Sequence, residues 1–405
     1  MRHSEWPIAG TQMAEKLNLT WKATVGMATA LALCLGLQAS PAMAGDNSNS
    51  DATYVESIDH FVDKNVSYGG ETSNLTWHGY LNFEFDAQQS TNSNFDNHEF
   101  YLSAQSKLSD RVSLTAEFAY EHTPEKLITP VQAFADFKFS DALIFRVGQF
   151  YTPMGISRSY NMRGNKNRMI RQVALTTDIM FGNWSEIGIN FFGKLGSNLY
   201  YDVAVGNGMP NTLATGDSFF DSDNSLTSHS EDNNHNKAIH SRFGFVSQNV
   251  FNGELNLGFS YGAQKYDPAD LKEMTHTGGD IRYLHSTGFR IQAEYMVRDG
   301  DDDSPLLAAT GISAKAKGWY FQASKRFVSV NNEWVNYIEP VFQIDYIDLN
   351  TGIANDATQK RTTAIGFIYS PEPFYMFKFE YDIVTETGGA AVDNNVFWAS
   401  VVMEF

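Results

Sequence analysis

The residues best equipped for chemistry lie in one stretch, Tyr151 to Asp178, YTPMGISRSYNMRGNKNRMIRQVALTTD. Arg158, Arg163, Lys166, Arg168 and Arg171 fall inside it, and no Asp or Glu precedes Asp178. The whole chain of 405 residues carries a formal charge of −18, so this acid-free basic run reverses the sign of its surroundings. A guanidinium is planar and permanently charged, and its fork grips carboxylate or phosphate bidentately; Lys acts more as a point charge. Such a run suits the selection of small anions rather than the making of bonds. No G-x-S-x-G, H-E-x-x-H or phosphate-cradling glycine loop is present, so no catalytic residue and no cofactor is assigned.

Two other clusters could bind a metal. His229, Glu231, Asp232, His235 and His240 lie near one another, as do Asp299, Asp301, Asp302 and Asp303. Neither has ligand spacing, and the acidic run lacks the Gly and distal Glu of a calcium loop. Both read as solvated loops able to meet lipopolysaccharide through divalent ions, and no metal site is assigned. Cys34 is the only cysteine, which excludes a disulfide framework. The acidity of the chain argues against nucleic acid as a partner.

The elements that must position the basic stretch alternate with period two. In Tyr375 to Ile383, Phe377, Phe379, Tyr381 and Ile383 oppose Lys378, Glu380 and Asp382. Leu81 to Asp86, Arg111 to Tyr120 and Phe289 to Arg298 repeat the pattern. Period two puts one set on each face of a strand. About sixteen such segments of about ten residues follow, the length of a tilted strand across a bilayer. Their extents are 75–86, 95–107, 111–121, 129–139, 142–150, 184–194, 198–206, 237–247, 254–264, 275–285, 288–298, 317–328, 337–348, 360–370, 374–384 and 395–405.

The connections alternate in length. Ser109-Asp110, Ser140-Asp141, Gly196-Ser197, Ser286-Thr287 and Pro371-Glu372-Pro373 are short, while 151–183, 207–236 and 299–316 are long. Short turns on one side and long loops on the other fit an outer-membrane barrel; a soluble sandwich would show no such alternation. The expected fold is all-β, a 16-stranded antiparallel transmembrane β-barrel whose third outer loop folds inward, around an aqueous channel. Phe397, Ala399, Val401, Met403 and Phe405 alternate to the end, and a terminal Phe on such a strand reads as an insertion signal.

Ahead of the barrel, Lys16 and Lys22 flank the small apolar run 23–39, and Pro41-Ala42-Met43-Ala44 offers a cleavage site. Residues 1–44 are therefore expected to be a cleaved signal peptide, 45–74 a periplasmic lead-in and 75–405 the barrel. The chain is placed in a bacterial outer membrane, in contact with its lipid and lipopolysaccharide.

Basic residues at a narrow point select anions. Arg158, Arg163, Lys166, Arg168 and Arg171 are expected at that constriction, although Arg168 and Arg171 could cross to acidic wall residues and pin the loop. Lys138, Arg146, Arg242, Arg282, Arg290, Arg298 and Lys378 alternate with apolar neighbours and are expected to face the lumen. Glu84, Glu117, Asp136, Glu294, Asp345 and Glu380 share that face, so wall arginines are expected to pair across strands more readily than to serve as anion stations. Passive diffusion of small anions, phosphate among them, is the expected function. The rivals are a non-selective or sugar porin, with Tyr101, Phe134 and Tyr200 along the lumen, and an adhesive barrel.

Arg146-Val147-Gly148-Gln149-Phe150-Tyr151-Thr152-Pro153-Met154-Gly155, followed by the basic loop, Met169-Ile170-Arg171 and Ile187-Gly188-Ile189, resembles the strand-to-loop motif of the phosphate-selective porin O and P family. The resemblance covers about fifty residues and implies a homotrimeric anion porin with an inward third loop and arginines along the path. Tyr151 stands where the family pattern has a lysine.

Overall fold

The computed structural model describes residues 75–89, 92–121, 128–156, 167–180, 184–208, 227–228, 232, 234–266, 269–301, 315–329, 332, 334–352, 358–387, 392 and 394–405. The expected signal peptide and lead-in, His229, Glu231, Asp302 and Asp303 lie outside them, as do Arg158, Arg163 and Lys166.

Among the described residues sixteen long strands run in chain order. They are β1 (Leu75–Gln88), β2 (Asn94–Ser109), β3 (Val112–Glu121), β4 (Ile128–Ser140), β5 (Leu143–Tyr151), β6 (Ser185–Leu195), β7 (Leu199–Gly206) and β8 (Ala238–Val250), then β9 (Gly253–Lys265), β10 (Glu273–His285), β11 (Phe289–Gly300), β12 (Ala316–Lys325), β13 (Tyr337–Asp348), β14 (Gln359–Glu372), β15 (Tyr375–Glu386) and β16 (Val396–Glu404). Each pairs antiparallel with the next, and β1 pairs with β16 from Tyr80↔Glu404 to Gln88↔Val396, which closes the barrel and leaves no sheet edge. Two short pieces supplement the wall. Thr227–Ser228 runs parallel to Ser185 and Glu186 of β6, beyond the point where β7 ends. Phe327–Val328 resumes the line of β12 after a break at Arg326, which divides the segment 317–328 expected to be continuous.

Burial is inverted relative to a soluble protein. Along β15, Lys378, Glu380 and Asp382 are 2%, 2% and 1% exposed, while Phe379, Tyr381 and Ile383 are 42%, 45% and 42% exposed. Leaving a Phe-sized side chain in water forfeits roughly 1.5–3 kcal/mol, so a continuous outer band of such residues is built for lipid. Phe243, Phe259, Phe342, Phe367 and Phe397 extend the band around the barrel.

The seam depends on the last residue. Phe405 N–H donates to the Gly79 carbonyl at 3.0 Å, and Gly79 N–H returns a bond to Phe405 O at 2.9 Å. The Phe405 ring lies over Gly79, where a Cβ would come within 2.6 Å of its Cζ. At the short-turn end, Phe251 and Asn252 both take positive φ, 48° and 61°, the geometry whose twist matches a two-residue hairpin.

An apolar cluster lies inside the barrel. Tyr80 and Tyr101 stack with centroids 5.0 Å apart, packed with Tyr337, Val341, Ile368 and Met376.

Candidate functional site

The connection from β5 to β6 turns into the barrel. Thr152 N–H bonds the Trp184 carbonyl at 3.3 Å, which draws the two ends of the connection together. The Trp184 indole donates to Glu186 Oε1 at 2.7 Å, and Gly208 N–H donates to Oε2 at 2.9 Å, so one buried carboxylate ties the roots of two long loops.

Beyond Thr152 the chain reaches the inner wall at Gly155. Its φ is +64°, its N–H donates to Ser260 Oγ at 2.9 Å, and Glu294 Oε1 occupies the place where a Cβ would project. A side chain would be strained there by both backbone and space.

The returning half is seated on β13–β15. Met169 covers Gly366, where a Cβ would stand 2.7 Å from its sulfur. The N–H groups of Ile170 and Arg171 both donate to Glu380 Oε2, the second at 3.1 Å. The Arg171 guanidinium bonds Asp345 at 2.7 Å and Asp382 at 3.1 Å. Burial alone would lower the Arg171 pKa, but Asp345, Asp382 and Glu380 outweigh it and raise the value. Arg168 lies 3.5 Å from Glu339, which is 0% exposed and also pairs with Arg326 at 2.9 Å. Arg168 and Arg171 are thus both bound to wall carboxylates.

A π-helical turn, Leu175–Ile179, follows, packed on Met296, Tyr320 and Ile347. Arg298 donates to the carbonyls of Asp178 at 2.9 Å and Ile179 at 3.4 Å, placing a cation at the negative end of that turn. Burial raises the Asp178 carboxyl above its ordinary range, against the pull of Arg171, Lys360 and Arg298. Between the loop and the wall is a small cavity lined by Asn167, Gln172, Thr176, Gln292, Tyr320 and Gln322.

The wall cations face inward, as the alternation requires, but several are covered rather than open to a lumen. Arg242 meets Asp280 through two bonds, 3.0 and 2.6 Å, and also donates to the Tyr200 hydroxyl. Arg146 is bidentate to Asp136 at 2.7 and 2.9 Å and stacks over Phe134 at 3.7 Å. Lys378 Nζ donates to the Asn167 carbonyl at 2.8 Å, while Lys138 pairs with Asp141 beside a short turn at 2.8 Å. Arg282 is buried on β10 beside Asn256 and Gln292, and Arg290 acts electrostatically on Glu339. The loop lies against this wall, which is why Arg298 and Lys378 are inaccessible.

Three participants escaped the sequence reading. Arg326 falls at a strand break, where period two gives no face. Glu186 and Glu339 do sit on inward-facing positions, and the parity of Gln343 and Asp345 could have singled out Glu339.

No protein-family model matches the chain, and no curated protein matches it. Solved structures do. OmpF of Salmonella typhi, determined with daunomycin, aligns with a TM-score of 0.54 at 10% identity, over 82% of this chain and 98% of its own. An anion-selective porin from Comamonas acidovorans aligns at 0.53 and 9% identity, over 82% and 100%. The outer-membrane channel DcaP of Acinetobacter baumannii aligns at 0.53 and 14% identity, over 82% and 97%. At such identities the likeness establishes the fold, that of the outer-membrane porin barrel.

Proposed function

We propose that this chain is an outer-membrane porin through which small anionic solutes diffuse passively. In this reading, residues 1–44 are a cleaved export signal, 45–74 reach into the periplasm and 75–405 form the barrel. The observation that carries the proposal is the double anchoring of the third loop. Gly155 is held by β9 and Arg171 by β13 and β15, and the intervening stretch contains Arg158, Arg163 and Lys166 with no acid. Arg168 and Arg171 serve mainly as anchors, and the other three cations are assigned to the constriction. The motif around Arg146 to Gly155 supports a relationship to the phosphate-selective porins and a homotrimer. Tyr151, in place of a lysine, favours small anions generally over phosphate alone.

Replacing Arg158, Arg163 and Lys166 together by Gln tests the assignment. The triple variant should lose most of its anion preference in bilayer reversal potentials; unchanged preference would remove those residues from the narrow point.

A second reading has its own observation. Arg146 and Arg242 of the wall and Arg171 of the loop are all matched by carboxylates, so these cations offer an anion no free charge, as expected of a non-selective or sugar porin. Block of ion current by oligosaccharides would favour it.

A further inference from the structure

One cation stands apart from every pairing described so far. Arg361 lies near the start of β14, exposed, and shares its face with Ile365 and Phe367, both of the lipid-facing band. Among the described residues it makes no ion pair or side-chain hydrogen bond. Its neighbour across β13 is Tyr346, whose own neighbour on β12 is Trp319, and these two rings stack at 6.3 Å. Two positions before Trp319 on the same face is Lys317, 3.7 Å from Asp348 and 41% exposed. Two strand spacings of about 4.8 Å separate β12 from β14, and Lys317 stands two residues nearer the long loops than the level of Arg361 and the two rings, so the long Lys and Arg side chains can reach one group beside the ring pair. Trp and Tyr at this height mark the boundary between hydrocarbon and headgroups.

We propose that Lys317 and Arg361 bind the phosphate of a phosphorylated outer-leaflet lipid, with its acyl chains along Trp319, Tyr346, Phe342 and Ile365. Charge complementarity chooses the occupant. A guanidinium on the lipid-facing side that meets no acid among the described residues is tolerable only at the headgroup level, where phosphate offers it a bidentate partner. The chain is strongly acidic and would repel anionic lipid elsewhere; here Asp348 faces Lys317 alone, and Arg361 adds a positive charge that no described acid offsets, which makes the aromatic step a specific seat. Arg146, Arg171, Arg242 and Arg326, by contrast, are all matched by carboxylates. The inference rests on the barrel standing in an outer membrane with its long loops outward. It does not depend on which solute the channel passes.

The test uses the full mature chain, folded in detergent and checked by heat-modifiable migration, titrated with bisphosphorylated lipid A and followed by native mass spectrometry. Lys317→Ala with Arg361→Ala should weaken binding by about tenfold or more, given two removed cations at the headgroup level. Binding of the same lipid stripped of phosphate should be equal for both chains, and Lys325→Ala at the opposite rim should leave binding unchanged. Parental retention by the double variant would overturn the proposal. So would equal loss of the phosphate-free lipid, which would make the surface a seat for acyl chains, or displacement by inorganic phosphate, which would make it a site for a free anion.

Discussion

Arg171 is the residue on which the loop's position turns. Its guanidinium joins Asp345 and Asp382, and its backbone N–H joins Glu380. Removing one partner of a buried ion pair costs about 3–5 kcal/mol, because the remaining charges lose their compensation. Arg171→Met is therefore expected to loosen the loop, seen as a larger and noisier single-channel conductance with a lower thermal midpoint. Conductance identical to the parent would place the anchor elsewhere. Gly155 is the second such residue, since positive φ and the Glu294 carboxylate both exclude a side chain. Gly155→Ala should displace the loop from β9 and lower the midpoint by an amount equivalent to at least ~1 kcal/mol, given the strain of a left-handed non-glycine residue. Arg168 and Arg171 were open in the sequence to both a constricting and an anchoring role, because acids of matching parity lay on the later strands. Arg361 shows the limit of parity: it marks the lipid side, but only three-dimensional register puts the residue level with Tyr346 and Trp319.

At the scale of elements, period two carried most of the information. The segments expected at 337–348 and 374–384 correspond closely to β13 and β15, since each alternates without interruption. Ends were less legible. β2 runs to sixteen residues because its polar outer end still pairs with β1, although it has left the apolar pattern. The π-helical turn at Leu175–Ile179 had no signal of its own, since five residues shaped by contact with Met296 and Tyr320 follow no local period. The alternation of the last strand up to Phe405 was legible, whereas the backbone pairing of Phe405 to Gly79 across the seam was not. That pairing yields a prediction about assembly. Gly79→Val would force its branched side chain into the Phe405 ring and should sharply reduce the heat-modifiable folded form in refolding assays. Normal yield would show that the seam tolerates a displaced terminus.

Across the whole molecule, two sets of side chains divide the work. The outer set is apolar and aromatic and meets lipid. The inner set is charged: Arg146, Arg242 and Arg326 are each matched by an acid, and further carboxylates, among them Glu117, Glu254 and Glu294, lie buried on the same wall. In the proposed reading, selectivity falls to Arg158, Arg163 and Lys166, the basic residues between the two anchors of the third loop. Net acidity belongs to the barrel and its outer loops, not to the proposed narrow point, and for that reason total charge is a poor guide to what passes. The reversal potential of the unmodified channel in a planar bilayer, under a gradient of potassium chloride, is the most direct test. Anion preference is the result the proposal predicts, and a preference for potassium would contradict it.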